Sequence, residues 1–330
     1  MAAAFAAFLL SCFLTILIIR YHFIHEHISA DTDFDSPQKF HTVAVPRIGG
    51  LAIFLALLFG GTMRLISDWS SGILLLQILA CSLPAFLSGI IEDLTKKVSP
   101  LVRLVACFSS AVLAYFFLHT SVSSISISWI DPILAIPIIA ATLSCLMIAG
   151  LTNSYNIIDG FNGLACMVGI ITLVAIGYVG FRNNDFTIVF IVVATIGSII
   201  GFFIWNFPRG LIFLGDGGAY FIGFWIGVLS ILLIMRNQTV SPWFACLINI
   251  YPIFETLFSI WRKKFIKNMS PGMPDGTHLH MLVYGRIARW INPKQANSFF
   301  LAIQEPLHSC GCCQAWLFFQ QQSGGIIRGF

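Results

Sequence analysis

Residues 186–205 read FTIVFIVVATIGSIIGFFIW, an unbroken run without Asp, Glu, Lys or Arg. A helix that crosses the hydrocarbon core of a bilayer needs about 20 mostly apolar residues, so this run reads as a membrane span. Working outward from it, eight further stretches have the same character, at 3–19, 48–66, 73–91, 101–118, 132–150, 164–180, 219–235 and 242–260. The composition agrees. The chain is 58% hydrophobic and 10% charged, whereas soluble domains carry about 25% charged residues. A water-soluble chain so poor in charge would expose large apolar patches. The expected fold is an all-α membrane protein with about nine to ten transmembrane helices. The first stretch lacks the basic flank and small-residue cleavage site of a secretory signal, so it is expected to be a retained helix.

The positions of Lys and Arg orient the spans. Arg20, Lys39 and Arg47 follow the first span, and Lys96, Lys97 and Arg103 follow the third. Arg209 follows the seventh, and Arg262, Lys263, Lys264, Lys267, Arg286, Arg289 and Lys294 follow the ninth. The alternate loops hold only Arg64, Arg182 and Arg236. Basic loops face the cytoplasm, which places the N-terminus on the periplasmic side. Six cysteines, Cys12, Cys81, Cys107, Cys145, Cys166 and Cys246, are scattered through apolar runs and behave there as small hydrophobes. Cys310, Cys312 and Cys313 crowd the C-terminus without the paired spacing of a zinc site.

The acids that share the basic parity sit in unusual sequence. Simple solvation suffices for Asp31, Asp33, Asp35, Asp68, Asp131 and Asp185. Glu92 and Asp93 end the third span just before Lys96 and Lys97; adjacent carboxylates repel, so such a pair shares a proton or faces a cation, unless it is an ordinary helix-end cluster. Asn153, Asn156, Asp159, Gly160, Asn162 and Gly163 form a patterned polar link between the fifth and sixth spans, without Lys or Arg. Asp216 stands alone in a Gly-rich turn, 213–218, either as a helix N-cap or as a hard-cation ligand. His278 and His280 follow Asp275 and point the same way on an extended segment; they suit zinc or phosphate oxygens, or a solvated loop. Glu255 lies near the end of the ninth span, where snorkelling or pairing with Arg262 accounts for it. Together, carboxylates at three loop positions, a Gly-rich turn, His, Lys and Arg suit Mg²⁺ held with a diphosphate, with cations neutralising the remaining phosphate charge.

The order of these motifs, Val45-Pro46-Arg47-Ile48-Gly49-Gly50, Glu92-Asp93, Asn153 to Gly163, Phe213 to Gly218 and His278 to His280, resembles that of the bacterial polyprenyl-phosphate N-acetylhexosamine-1-phosphate transferases. The resemblance covers residues 1 to about 300. It implies transfer of a sugar 1-phosphate from a UDP-N-acetylhexosamine to undecaprenyl phosphate with release of UMP, dependent on Mg²⁺ or Mn²⁺, in the bacterial inner membrane with a cytoplasmic active site. By motif, it implies catalytic roles for Glu92, Asp93 and Asp159. Asp216 becomes the metal ligand, with Asn156 beside it. Lys96, Lys97, Asn153, Asn156, Asn162, His278 and His280 become substrate-binding residues. Partners are the nucleotide sugar, the lipid phosphate and the bilayer, with no nucleic acid; a homodimer is allowed. Glu92, Asn162 and Met281 depart from the family's usual Asp, Asp and His. The last departure points away from the phospho-N-acetylmuramoyl-pentapeptide branch and towards transferases that start O-antigen-type lipopolysaccharide.

Competing expectations are that branch itself, a transporter with broken helices and midplane acids, and a non-enzymatic assembly partner. Residues 1–300 are expected to form a single polytopic catalytic domain. Residues 301–330 break any long apolar run, which points to a frame-shifted or divergent terminus that has lost a final helix.

Overall fold

The computed structural model describes residues 2–21, 30–31, 45–266, 278–283 and 286. Lys39, Asp33, Asp35, Lys267, Asp275, Arg289, Lys294 and the whole 301–330 segment with its cysteines lie outside the described residues. The chain divides into two compact units, one within residues 1–32 and 43–272, the other within 33–42 and 273–330.

The first unit is built of helices laid down on the apolar runs. They are α1 (Ala2–Arg20), α2 (Gly49–Ser67), α3 (Trp69–Thr95), α4 (Pro100–Leu118), the short α5 (Asp131–Leu134), α6 (Pro137–Ile158), α7 (Leu164–Arg182), α8 (Phe186–Asn206), α9 (Gly215–Arg236), α10 (Pro242–Ile248) and α11 (Ile250–Trp261). Helices α3 and α6 extend past their runs, and the 132–150 run is divided between α5 and α6. One antiparallel pair of two-residue strands, β1 (Ala30–Asp31) and β2 (Val45–Pro46), sets Ala30 opposite Pro46. Among the described residues, eight helices are long and apolar enough to span a membrane. The chain is therefore an all-α multi-pass membrane protein.

The ninth expected span, 242–260, is broken: α10 and the helix after it meet at a bend of 71°. Pro252 explains the break. It has no N–H to give to the Ile248 carbonyl four residues earlier. That carbonyl instead accepts the Thr172 hydroxyl of α7 at 3.3 Å, and Thr172 in turn accepts Tyr155 of α6 at 3.4 Å. Asn249, at the corner, donates to the Ala245 carbonyl at 2.9 Å and to Ser230 of α9 at 3.4 Å. Side-chain hydroxyls and amides thus satisfy backbone groups that lipid would leave bare. The same device operates in α3, where the N–H of Ala85, next to Pro84, goes to Ser110 of α4 at 2.9 Å.

Helix α9 is the axis of the bundle. In its apolar window 89% of the residues are buried, against 22% in α1, so α9 is surrounded by protein and α1 faces lipid. It packs on α3 and α6 and is also flanked by α2 and α7. Its Phe221 meets Phe54 and Phe86 edge-on, and those two rings stack at 4.5 Å. Buried Cys81, Cys107, Cys145 and Cys166 are free thiols in this core.

Several acids expected to be merely solvated hold the helix ends together. Asp68 caps α3 by accepting the Ser71 N–H and pairs with Arg64 at 2.8 Å. The Arg64 guanidinium also lies 4.4 Å over the Phe190 ring. Asp131 accepts the Ile125 N–H and the Ser124 hydroxyl. Asp185, buried between α7 and α8, receives two hydrogen bonds from Arg236 at 2.7 and 3.0 Å. Burial alone would raise the Asp185 carboxyl, but the Arg236 and Ile188 hydrogen bonds hold it below the ordinary carboxylate range. Each of these three carboxylates accepts a backbone N–H at a helix start or in a turn. Glu255 is likewise fully buried rather than snorkelling to an interface.

A candidate active site at the N-terminus of the central helix

Helix α9 starts at Gly215, whose φ of +78° suits a residue without a Cβ. Its first N–H groups have no intrahelical acceptor. The Asp93 carboxylate of α3 supplies one: Oδ1 accepts the Asp216 N–H at 2.9 Å and Oδ2 the Gly217 N–H at 3.0 Å. The Asp93 side chain is completely covered, and a negative charge there also complements the helix dipole.

Glycines make this docking close enough. A Cβ on Gly89 would collide with the backbone of Gly217, and one on Gly50 with the backbone of Gly218. The Gly-rich turn therefore serves a three-helix crossing of α2, α3 and α9. On the other side, the segment 46–50 is strapped to 213–214. Phe213 donates to the Pro46 carbonyl at 2.9 Å, Gly49 to Phe213 at 3.0 Å and Gly50 to Leu214 at 2.9 Å.

The strap carries Arg47 to the site. Its Nη2 lies 3.4 Å from Asp216 Oδ1 and 3.7 Å from Asp93 Oδ1. Arg103, in the first turns of α4, bonds Asp216 Oδ2 through Nη1. Asp159, at the C-terminal cap of α6, belongs to the same electrostatic cluster. Its carboxyl is pushed up to about 7, first by burial and then by the charge of Asp216, against an opposing pull from Arg47. Three carboxylates and two guanidiniums thus gather at one end of the bundle.

The remaining expected residues are placed as follows. Asn153 and Asn156 lie in the last turns of α6, and Asn156 accepts the Asp159 N–H at 3.4 Å through its backbone carbonyl. Asn162 packs against Gly210 in the α8–α9 connection. Glu92 Oε2 accepts the Val98 N–H at 2.8 Å, and its carbonyl accepts the Lys96 N–H at 2.8 Å, so Glu92 shapes the α3–α4 turn. Lys96 caps α3 in the left-handed region at φ 54°, and both Lys96 and Lys97 are exposed. His278 and His280 belong to the second unit, where their rings stack with centroids 5.6 Å apart.

Two expectations need correction. The sequence suggests loops for the carboxylates at 93 and 216, but both stand within helices, and the amide run at 153–156 is helical too. Asp93 satisfies the N-terminal N–H groups of α9, and α3 and α6 continue beyond their apolar runs. On sequence alone Arg47 and Arg103 are loop cations that orient the spans and suit phosphate charge in general, whereas in the structure both contact the Asp216 carboxylate. No local signal marks those pairings, although Arg47 stands inside the Val45 to Gly50 motif.

The sequence pattern of glycosyl transferase family 4 matches residues 75–234, which include Asp93, Arg103, Asp159 and Asp216. The chain belongs to the polyprenyl-phosphate N-acetylhexosamine-1-phosphate transferase family and is a transferase. It is 32% identical to a probable undecaprenyl-phosphate N-acetylglucosaminyl 1-phosphate transferase of Bacillus subtilis (strain 168), over 75% of this chain and 68% of the relative. It is 27% identical to an undecaprenyl-phosphate alpha-N-acetylglucosaminyl 1-phosphate transferase of Thermotoga maritima, over 78% of this chain and 74% of the relative. A phospho-N-acetylmuramoyl-pentapeptide-transferase of Streptococcus thermophilus is 25% identical over 80% and 79%.

Proposed function

We propose that the chain transfers N-acetylhexosamine 1-phosphate from a UDP-N-acetylhexosamine to undecaprenyl phosphate, releasing UMP. The reaction takes place at the cytoplasmic face of the bacterial inner membrane and starts a cell-surface glycan of the O-antigen type. The observation that carries this reading is the charge cluster at the end of α9, with Asp216 at its centre. Acids and guanidiniums placed at the end of membrane helices suit a reaction between a soluble diphosphate and a lipid phosphate.

The donor set fits Mg²⁺, with Mn²⁺ as a substitute. Among the described residues no three His, Cys, Asp or Glu side chains converge on one cation position. Mg²⁺ needs only one or two carboxylates when substrate phosphates and water complete its shell. Asp159, raised to about 7 beside Asp216, is a hard oxygen ligand whose ionisation a divalent cation would favour. Asp216 would hold the ion, with Asn156 and Asp159 beside it, and the ion would neutralise charge on the diphosphate.

The chain's own residues do the rest. Asp93 holds the N-terminus of α9 and thereby positions Asp216. Arg47 and Arg103 offer guanidiniums to phosphate oxygens. Glu92 orders the turn that presents Lys96 and Lys97 to the acceptor phosphate. Asn153 and Asn162 serve the nucleotide side. An oxygen of the lipid phosphate attacks the β-phosphorus of the donor; its bond to the bridging oxygen breaks and UMP leaves with that oxygen. Catalysis is mainly positioning and charge stabilisation.

The test is product formation by purified protein with labelled UDP-sugars and undecaprenyl phosphate. Lipid-linked sugar is expected only with Mg²⁺ or Mn²⁺. Asp216→Asn should lower the rate by about two to three orders of magnitude. Undiminished product from that variant, or full activity in chelator, would overturn the reading. UDP-N-acetylmuramoyl-pentapeptide should be a poor donor; preference for it would reassign the chain to the other branch of the family.

A further inference from the structure

We propose that Arg47 is a cation-exchange latch: its guanidinium lies on the Oδ1 side of Asp216, competes there with a divalent cation, and swings onto substrate phosphate when the ion enters. The inference rests on the metal reading above and deepens it.

The two arginines divide Asp216 between them. Arg103 holds Oδ2, whereas Arg47 approaches Oδ1 and, with the same Nη2, Oδ1 of Asp93. An ion bound at Asp216 Oδ1 meets Arg47 and leaves the Arg103 contact intact. Arg47 also has the looser hold on Asp216. Its distances of 3.4 and 3.7 Å to the two carboxylates are longer than an ordinary N–H···O bond, so Coulomb attraction dominates these two contacts. A divalent cation and a guanidinium repel at such spacing, so the two compete for one carboxylate oxygen.

Motion is confined to the side chain. The Arg47 backbone is pinned by the hydrogen bonds of Pro46, Gly49 and Gly50 to 213–214, and a Cβ at Gly215 would strike the Arg47 carbonyl. Displacement is therefore a change of rotamer about a fixed pivot, and the guanidinium remains within reach of whatever anion enters with the ion. At this position Arg47 also compensates the carboxylates of Asp93 and Asp216, which limits their mutual repulsion. Binding and release of Arg47 are then linked reciprocally to binding of the ion.

The experiment is direct titration of Mn²⁺ alone into the purified full chain, reading the free-ion electron paramagnetic resonance signal, with thermal unfolding to verify that each variant folds. Arg47→Gln should bind Mn²⁺ about fivefold or more tightly. Arg47→Lys keeps the charge but not the fork, and should fall between Arg47→Gln and the wild type; it also serves if Arg47→Gln fails to fold. Steady-state kinetics should show Arg47→Gln raising KM for the UDP-sugar about tenfold, with a smaller change in kcat. If Asp216→Asn loses Mn²⁺ binding while Arg47→Gln binds no more tightly than the wild type, the latch is wrong and the metal reading stands. If Asp216→Asn binds Mn²⁺ normally, the metal reading is wrong and the latch falls with it.

Discussion

Asp93 is bonded to the backbone of Asp216, a residue 123 positions away, and to the next N–H of the same helix turn. Both oxygens of one carboxylate are consumed in seating one helix end. Replacement by Asn leaves a single acceptor and turns an amide NH₂ towards an N–H donor. Asp93→Asn should lose about 1–3 kcal/mol of stability, read as a lower thermal midpoint in detergent, together with most of the activity. A variant with full stability and no activity would instead assign Asp93 a role in the reaction itself.

The glycine crossing makes a contrast between substitutions that look alike in sequence. Gly89→Ala places a methyl group against the Gly217 backbone, and Gly50→Ala places one against Gly218. Backbone cannot rotate away as a side chain can, so each should cost about 1–3 kcal/mol or more. Gly150, in the middle of α6, has open space where a Cβ would stand, with nothing within 4 Å, and Gly150→Ala should be neutral or slightly stabilising. Folded yield and thermal midpoint of the three variants check the ranking. Equal behaviour would refute the crossing.

The raised Asp159 carboxyl has a pH consequence. Its folded value is about 7, above the unfolded value of about 3.9, so the folded state favours the protonated form. That contribution is fully present below the unfolded value and is lost as pH rises through 7. Asp159→Asn removes the dependence. In chelator, the variant should gain on the wild type between about pH 5 and pH 8, by about 2 kcal/mol or less after allowance for solvent screening. Parallel thermal-midpoint curves would show that Asp159 is not raised.

The membrane architecture was legible because the bilayer imposes a length on each apolar run and forbids bare backbone groups within it. Among the described residues eight spans lie on these runs, the fifth shifted to Pro137–Ile158 from the expected 132–150, and even the break in the ninth has a local cause in Pro252. Motif order likewise brought Asp93, Asp159 and Asp216 forward as candidates. What those residues touch was decided only in three dimensions. Arg47 and Arg103 meet Asp216 across 169 and 113 positions of chain, and the glycines beside Asp216 serve a helix crossing that no local pattern announces. Periodicity and composition report what a segment needs from its surroundings, such as lipid or a cap. The choice of partner depends on which helices pack together, and that is a property of the whole bundle.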